Sequence, residues 1–215
     1  MSICYNIFMK YAFIDVQNND STALKTLGFV IDNKKLVNYL VQVKNYDKVF
    51  LYPGIEISDI EKKTEHEDMQ SEKIIVRPKF YKIYRERDKY IKNDCLKCGE
   101  EVLFKISGKV SYKCNCDVDL TIDVIDNMGE GNELMIFTGD GDFECLISRA
   151  VQNKSTVKIV SSDQSIKRKD GSIQSRFSKK LQDFIKNNQD KVKFLELNNY
   201  RNLIQKDIDQ DMLYK

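Results

Sequence analysis

Two periods of apolar and polar residues alternate along the chain. Residues 11–15 (YAFID) are a short apolar run ending on an acid, which predicts a strand. The polar stretch behind it, QNNDST, has no periodicity and reads as a loop. Across 33–44, Leu36, Tyr39, Leu40 and Val43 recur at helical spacing and give one apolar face. KVFLY at 48–52 is a second strand, closed by Pro53-Gly54. Residues 56–72, with seven acids and two lysines, predict an exposed helix with loop, and KIIVR at 73–77 a third strand. Farther on, DVDLTIDVIDN at 117–127 patterns as an amphipathic helix with Val118, Ile122 and Ile125 toward its apolar side. ELMIFT at 133–138 and TVKIV at 156–160 are strands, with a helix over 143–153 between them. A polar loop over 161–175, a helix over 177–187 and an edge strand at 192–197 follow. The last 18 residues read as a docked terminal helix or a frayed end. Strands alternating with helices predict an α/β fold on a mainly parallel sheet.

Composition narrows this picture. With 215 residues, 41% apolar, 32% charged and 2 prolines, the chain suits one folded domain and no disordered or collagenous class. The 35 basic residues nearly balance 33 acidic ones, so any nucleic-acid footprint must come from local clustering. Two such clusters exist. Residues 77–113 hold eleven basic and five acidic residues, interleaved with Phe80, Tyr81, Tyr84, Tyr90 and Tyr112; residues 167–180 hold six basic residues against one acid. Arg77, Lys79, Arg85 and Arg87 in the first, and Lys167, Arg168, Lys169 and Arg176 in the second, are candidate phosphate contacts, with tyrosines available for stacking. For any one of these residues the plainer reading is a solvated surface. No apolar run is long enough to span a bilayer and the N-terminal stretch lacks a cleavage-site pattern, so a cytoplasmic protein without a membrane partner is expected.

Four of the six cysteines fall within 22 residues, as Cys95-x2-Cys98-Gly99 and, fifteen residues on, Cys114-x-Cys116. EVLFKI and KVSYK between them, separated by Ser107-Gly108, read as a hairpin. A hairpin with two cysteine turns predicts a small zinc ribbon with structural tetrahedral S₄ ligation, redox chemistry and plain free thiols being the alternatives. Cys4 and Cys145 read as buried small hydrophobes. Because Asp117 follows the last cysteine directly, the expected zinc module over 78–116 would fix the start of the acidic helix.

The acids carry the candidate chemistry. Asp15 ends the first strand, Asp117 opens the central helix, and Asp140 and Asp142 follow a late strand in GDGD. In a parallel α/β sheet such positions meet at one rim. Carboxylates gathered there repel one another unless a cation is present, and Mg²⁺ or Mn²⁺ suits such oxygen ligands. Asn18 and Thr138 could orient a water or a phosphate oxygen, and Asp123 falls at the edge of the site or faces solvent. Each acid taken alone could equally cap a helix or form a turn.

FIDVQN, CDVDLTIDV and FTGDGDFECLI, in that order, resemble the three signature blocks of the NYN family, the LabA-like branch of the PIN-like nucleases. The resemblance implies a single domain over 1–215 with a three-layer α/β/α, Rossmann-like fold and an insertion at 78–116. It places the family's acids on Asp15, Asp117, Asp123, Asp140 and Asp142 and its asparagine on Asn18. It also implies metal-dependent hydrolysis of RNA, in preference to DNA. Val16 and Thr138 depart from the family's usual glycine and serine, Glu144-Cys145 stands where x-P is common, and Asn115-Cys116 replaces the usual G-V before Asp117. An RNA-binding or protein-interaction module of the same fold is the competing reading, and a homodimer is left open. A phosphotransferase lacks a nucleophile motif here, and a nucleotide-binding Rossmann enzyme lacks its glycine-rich loop.

Overall fold

The computed structural model describes residues 8–167 and 170–207. Strand β1 (Lys10–Asp15) leads into α1 (Val16–Thr22), α2 (Asn33–Asn38), β2 (Lys48–Tyr52), the short β3 (Gly54–Ile55), α3 (Ile60–Met69) and β4 (Ile74–Val76). An arm follows: β5 (Lys79–Phe80), β6 (Lys82–Arg85), β7 (Lys89–Asp94), β8 (Glu101–Ile106) and β9 (Val110–Lys113). The chain then runs through α4 (Asp117–Asn127), β10 (Glu133–Phe137), α5 (Glu144–Gln152), β11 (Thr156–Ser161), β12 (Ser165–Lys167), β13 (Ile173–Ser175), α6 (Lys179–Asn187), β14 (Val192–Glu196) and α7 (Arg201–Ile204).

Six strands form one parallel sheet in the order β14-β11-β10-β1-β2-β4. Successive side chains along a strand point to opposite faces, and both faces are covered. Ala12, Ile14, Val49, Leu51, Met135 and Phe137 pack with Leu36 and Val37 of α2, and with Leu40 in the π-helical turn Tyr39–Val43 that follows it, on one side. Phe13, Phe50, Leu134, Ile136 and Ile159 pack with Leu120 and Val124 of α4, Ile147 of α5 and Leu181 of α6 on the other. The result is the mixed α/β, helix-flanked parallel sheet that the strand pattern predicts. The chain proceeds outward from β1 to β2 and β4, then returns to β10 and proceeds the other way. The crevice between β1 and β10 is therefore the sheet's topological switch point, where ligands of open α/β folds bind.

Three local expectations change. The stretch read as a loop after Asp15 is helical, because the Asp15 carboxylate accepts the Asn18 N–H at 3.1 Å and caps α1. α1 runs on through a π-helical turn, Ala23–Leu27, and ends at Gly28, whose left-handed φ of 71° suits a helix stop. The loop over 161–175 contains the antiparallel pair β12–β13. Helix α4 buries Leu120, Asp123 and Val124, while Val118 and Ile122 are 60% and 50% exposed, so the expected apolar face is turned outward. Asp123 can face inward because Tyr52 Oη donates to it at 2.9 Å and the Arg77 guanidinium holds it through two bonds, of 2.8 and 2.9 Å.

The arm also differs from the expected ribbon. β8 pairs with β7 and β9 with β6, both antiparallel, so EVLFKI and KVSYK are not partners. Cys95 and Cys98 sit beyond the Asp94–Glu101 rung at one end of this nested hairpin; Cys114 and Cys116 sit beyond the Lys82–Lys113 rung at the other. No helix among the described residues is long and apolar enough to cross a membrane.

Candidate active site

Asp15, Asp117 and Asp140 line one cavity of about 300 Å³ together with Asn18, Tyr52, Cys116 and Arg176. It opens at the switch point between β1 and β10. Asp142 lines an adjoining cavity of about 340 Å³, which shares Asn18, Asp140 and Arg176 with the first and adds Lys180. Three predicted acids thus share one cavity and the fourth lies next door.

Backbone bonds set these side chains. Asp15 caps α1, and Asp140 Oδ1 accepts the Asp142 N–H at 3.0 Å. Asn18 Oδ1 accepts the Gly139 N–H at 2.9 Å, tying the start of α1 to the loop after β10. Thr138 Oγ1 accepts the Asp140 N–H at 3.2 Å. Neither Gly139 nor Gly141 has a positive φ; what they supply is room. A Cβ on Gly139 would stand 2.7 Å from the Arg176 carbonyl oxygen, and one on Gly141 would overlap the Ser178 hydroxyl. Gly139→Ala is therefore expected to cost about 1–3 kcal/mol and to push the Arg176 segment off the acids. Urea denaturation reads the loss, and an unchanged midpoint would show that the segment yields freely.

Burial pushes the Asp15 carboxyl up to about 6, with the Asp117 and Asp140 charges adding to the rise against the Asn18 hydrogen bond. Burial and the Asp140 and Asp142 charges raise Asp117 as well. The Arg176 guanidinium stands at both cavities, and its buried Nε has no protein hydrogen-bond partner. A carboxylate group beside an uncommitted guanidinium suits a ligand that brings both a cation and an anionic oxygen.

The other predicted residues distribute as follows. Asp123 is buried in the Tyr52–Arg77 network and does not line the cavity. Arg77 and Lys79 bind acids of α4, Lys79 Nζ meeting Asp119 at 2.6 Å. Arg85 and Arg87 are exposed at the arm and Lys167 on β12; Arg168, Lys169 and Cys4 lie outside the described residues. Cys145 is exposed, not buried. The four clustered cysteines are free thiols in two separate pairs, with Cys114 and Cys116 Sγ 3.3 Å apart. That arrangement does not fit a single S₄ zinc site. Among the described residues, no group of three or more His, Cys, Asp or Glu is placed to hold a metal ion as it stands. The start of α4 is fixed instead by hydrogen bonds: Asn115 Oδ1 accepts the Asp117 N–H at 3.1 Å, and Lys79 Nζ donates to the Asn115 carbonyl at 3.2 Å.

Sequence reasoning missed Gln17, Ser21 and Tyr52 as lining residues. Tyr52 carried a usable signal: it ends β2 in register with Asp15, so it reaches the same rim.

The sequence matches the NYN domain over residues 11–188. No curated protein matches it. Among solved structures, a protein of unknown function from Vibrio parahaemolyticus is 18% identical, with a TM-score of 0.54 over 93% of this chain and 98% of that one. This likeness concerns the fold alone. The tetrameric inhibited form of phosphofructokinase-2 from Escherichia coli, 16% identical, aligns with 73% of this chain and 55% of its own, at a TM-score of 0.37.

Proposed function

Because the chain belongs to the NYN domain family, within the PIN-like nucleases, we propose that it hydrolyses phosphodiester bonds of single-stranded RNA at the cavity bounded by Asp15, Asp117 and Asp140. The observation that carries this reading is the meeting of three repelling carboxylates with the Arg176 guanidinium at the switch point. Carboxylate oxygens are the donors that Mg²⁺ and Mn²⁺ take, and a divalent cation offsets both the burial that chiefly raises Asp15 and Asp117 and the repulsion that adds to it. When bound, such a cation supplies Lewis acidity to the phosphodiester and to the attacking water. Asp15, Asp117 and Asp140 would hold it, with Asp142 at the edge. Arg176 binds a non-bridging phosphate oxygen and balances the charge that grows there. Asn18 keeps Asp15 and the Gly139 loop in register, so the acids need not reorganise as the substrate enters.

The test is cleavage of an unstructured RNA with Mn²⁺ by the wild type and by Asp140→Asn. Cutting by the wild type that falls at least about a hundredfold in the variant supports the reading. Equal cutting by both proteins assigns the activity to a contaminant. RNA that binds but is not cut by the wild type favours an RNA-binding module of the same fold. A matching DNA strand in parallel measures the preference for RNA.

A further inference from the structure

Beside α1, a further cavity of about 340 Å³ shares the walls Gln17 and Gly54 with the acidic one. Its lining includes Asp20, Asn33, Lys62, His66 and Tyr81. Three buried polar atoms of these residues have no protein hydrogen-bond partner: Asp20 Oδ1, Asn33 Oδ1 and His66 Nδ1. His66 is only 8% exposed. Such orphans are costly unless a ligand or water completes them, and three of them on residues that line one cavity mark its walls as polar. Asn33 also hydrogen-bonds Asp20, which orients the carboxylate. The Lys62 ammonium, 3.6 Å from Asp59 Oδ2, also acts on Asp20 and adds a donor to the lining.

The fourth wall is aromatic. The Tyr81 ring packs directly over Gly54, where a Cβ would come within 2.6 Å of it. Asp32, Glu65 and Lys206 complete the polar lining, so the flat ring stands among carboxylate and amide acceptors with lysine donors, a setting that suits a nucleobase offering two donors and one acceptor on one edge. Guanine does so with N1–H, N2–H₂ and O6; adenine and cytosine each offer one exocyclic amine beside a ring acceptor, and uracil one N–H between two acceptors. Asp20 lies five residues beyond Asp15, about 7.5 Å along the helix, and feels its charge. A base held here therefore belongs to a nucleotide next to the acidic cavity.

We propose that the cavity formed by Asp20, Asn33, Lys62 and Tyr81 is a guanine-binding subsite that selects the nucleotide flanking the cut. The selection rests on the reading of the acidic cavity as the cutting site, while the base pocket itself does not. Guanine's edge binds Asp20 and Asn33 through its N–H groups and Lys62 through O6, with the ring stacked on Tyr81.

The test uses guanosine, adenosine, cytidine and uridine 5′-monophosphates, titrated into the metal-free protein by calorimetry. Guanosine monophosphate is expected to bind at least about tenfold more tightly than the other three. Asp20→Asn is expected to remove that preference, and Tyr81→Ala to weaken all four, with melting curves confirming that each variant folds. Equal affinity for the four nucleotides, or an unchanged preference in Asp20→Asn, overturns the proposal and leaves the cavity to water. A cut map on mixed-sequence RNA separates the two readings. Cutting without a base preference, joined to equal nucleotide affinities, sinks the subsite and spares the nuclease. Selective guanosine monophosphate binding with no cutting spares the subsite and sinks the nuclease.

Discussion

Replacing Asp15 with asparagine is expected to abolish RNA cleavage while making the metal-free protein more stable at pH 7. The side chain is held in a buried position with its pKa lifted to about 6 from an ordinary value of 3.8, by burial first and then by Asp117 and Asp140. Below about pH 4 the acid is protonated in both the folded and unfolded chain. Between pH 4 and 6 the folded chain keeps a proton that the unfolded chain has lost, so stability falls as pH rises through that window. Above pH 6 the whole penalty is present, on the order of 3 kcal/mol. Asparagine carries no charge and still caps α1, since its side-chain oxygen can accept the Asn18 N–H. Asp20, raised to about 7 chiefly by burial, adds a second falling limb between pH 4 and 7 that persists in the variant. Urea midpoints from pH 4 to 8 should therefore decline less steeply for Asp15→Asn than for the wild type. Mg²⁺ or Mn²⁺ should raise the wild-type midpoint and leave the variant's nearly unchanged. A variant less stable than the wild type at pH 7 would mean that Asp15 is not strained in the folded chain.

Replacing Arg77 with methionine is expected to cost about 3 kcal/mol or more, the low end of what is lost when a buried ion pair is broken from one side. The low end applies because the Arg77 side chain is half exposed while that of Asp123 is 8% exposed. Methionine keeps the packing of the stem but leaves Asp123 with Tyr52 as its side-chain partner. The burden falls on α4, whose first residue is Asp117, so cleavage should drop together with stability. Combining Arg77→Met with Asp123→Asn should restore part of the loss, because no uncompensated charge remains buried. Denaturation of the two single variants and the double variant measures the coupling. A loss below 1 kcal/mol for Arg77→Met would show that water screens the pair.

Helix α4 illustrates how far the sequence could be read. Its limits, 117–127, follow from the pattern, but its inward face does not. Counting aliphatic side chains selects Val118, Ile122 and Ile125, whereas the fold buries the Leu120–Asp123–Val124 face. An aspartate is acceptable there only because Arg77, 46 residues away in sequence, reaches its carboxylate. The arm repeats the lesson. Alternation identifies strands at 101–106 and 110–113 but not their partners, because local pattern carries no information about which strand supplies the next rung. Nested pairing separates the two cysteine pairs that sequence spacing draws together. The polar cavity beside α1 had no signal at all, since it joins residues from Val16 to Lys206 that share no motif.

The parallel α/β sheet, the match to the NYN domain and the three ordered acidic blocks were legible in the order of residues alone. Each of these rests on residues near one another along the chain: periodic apolar runs, strand-ending acids and a glycine-spaced turn. Folding alone settles which acids share a cavity, that Asp123 belongs to an ion pair, that Arg176 alone among the described candidate cations lines that cavity, and that the two cysteine pairs stand at opposite ends of the arm. Those outcomes depend on strand order, on desolvation and on distant charges, and none of the three is written into any one stretch of chain.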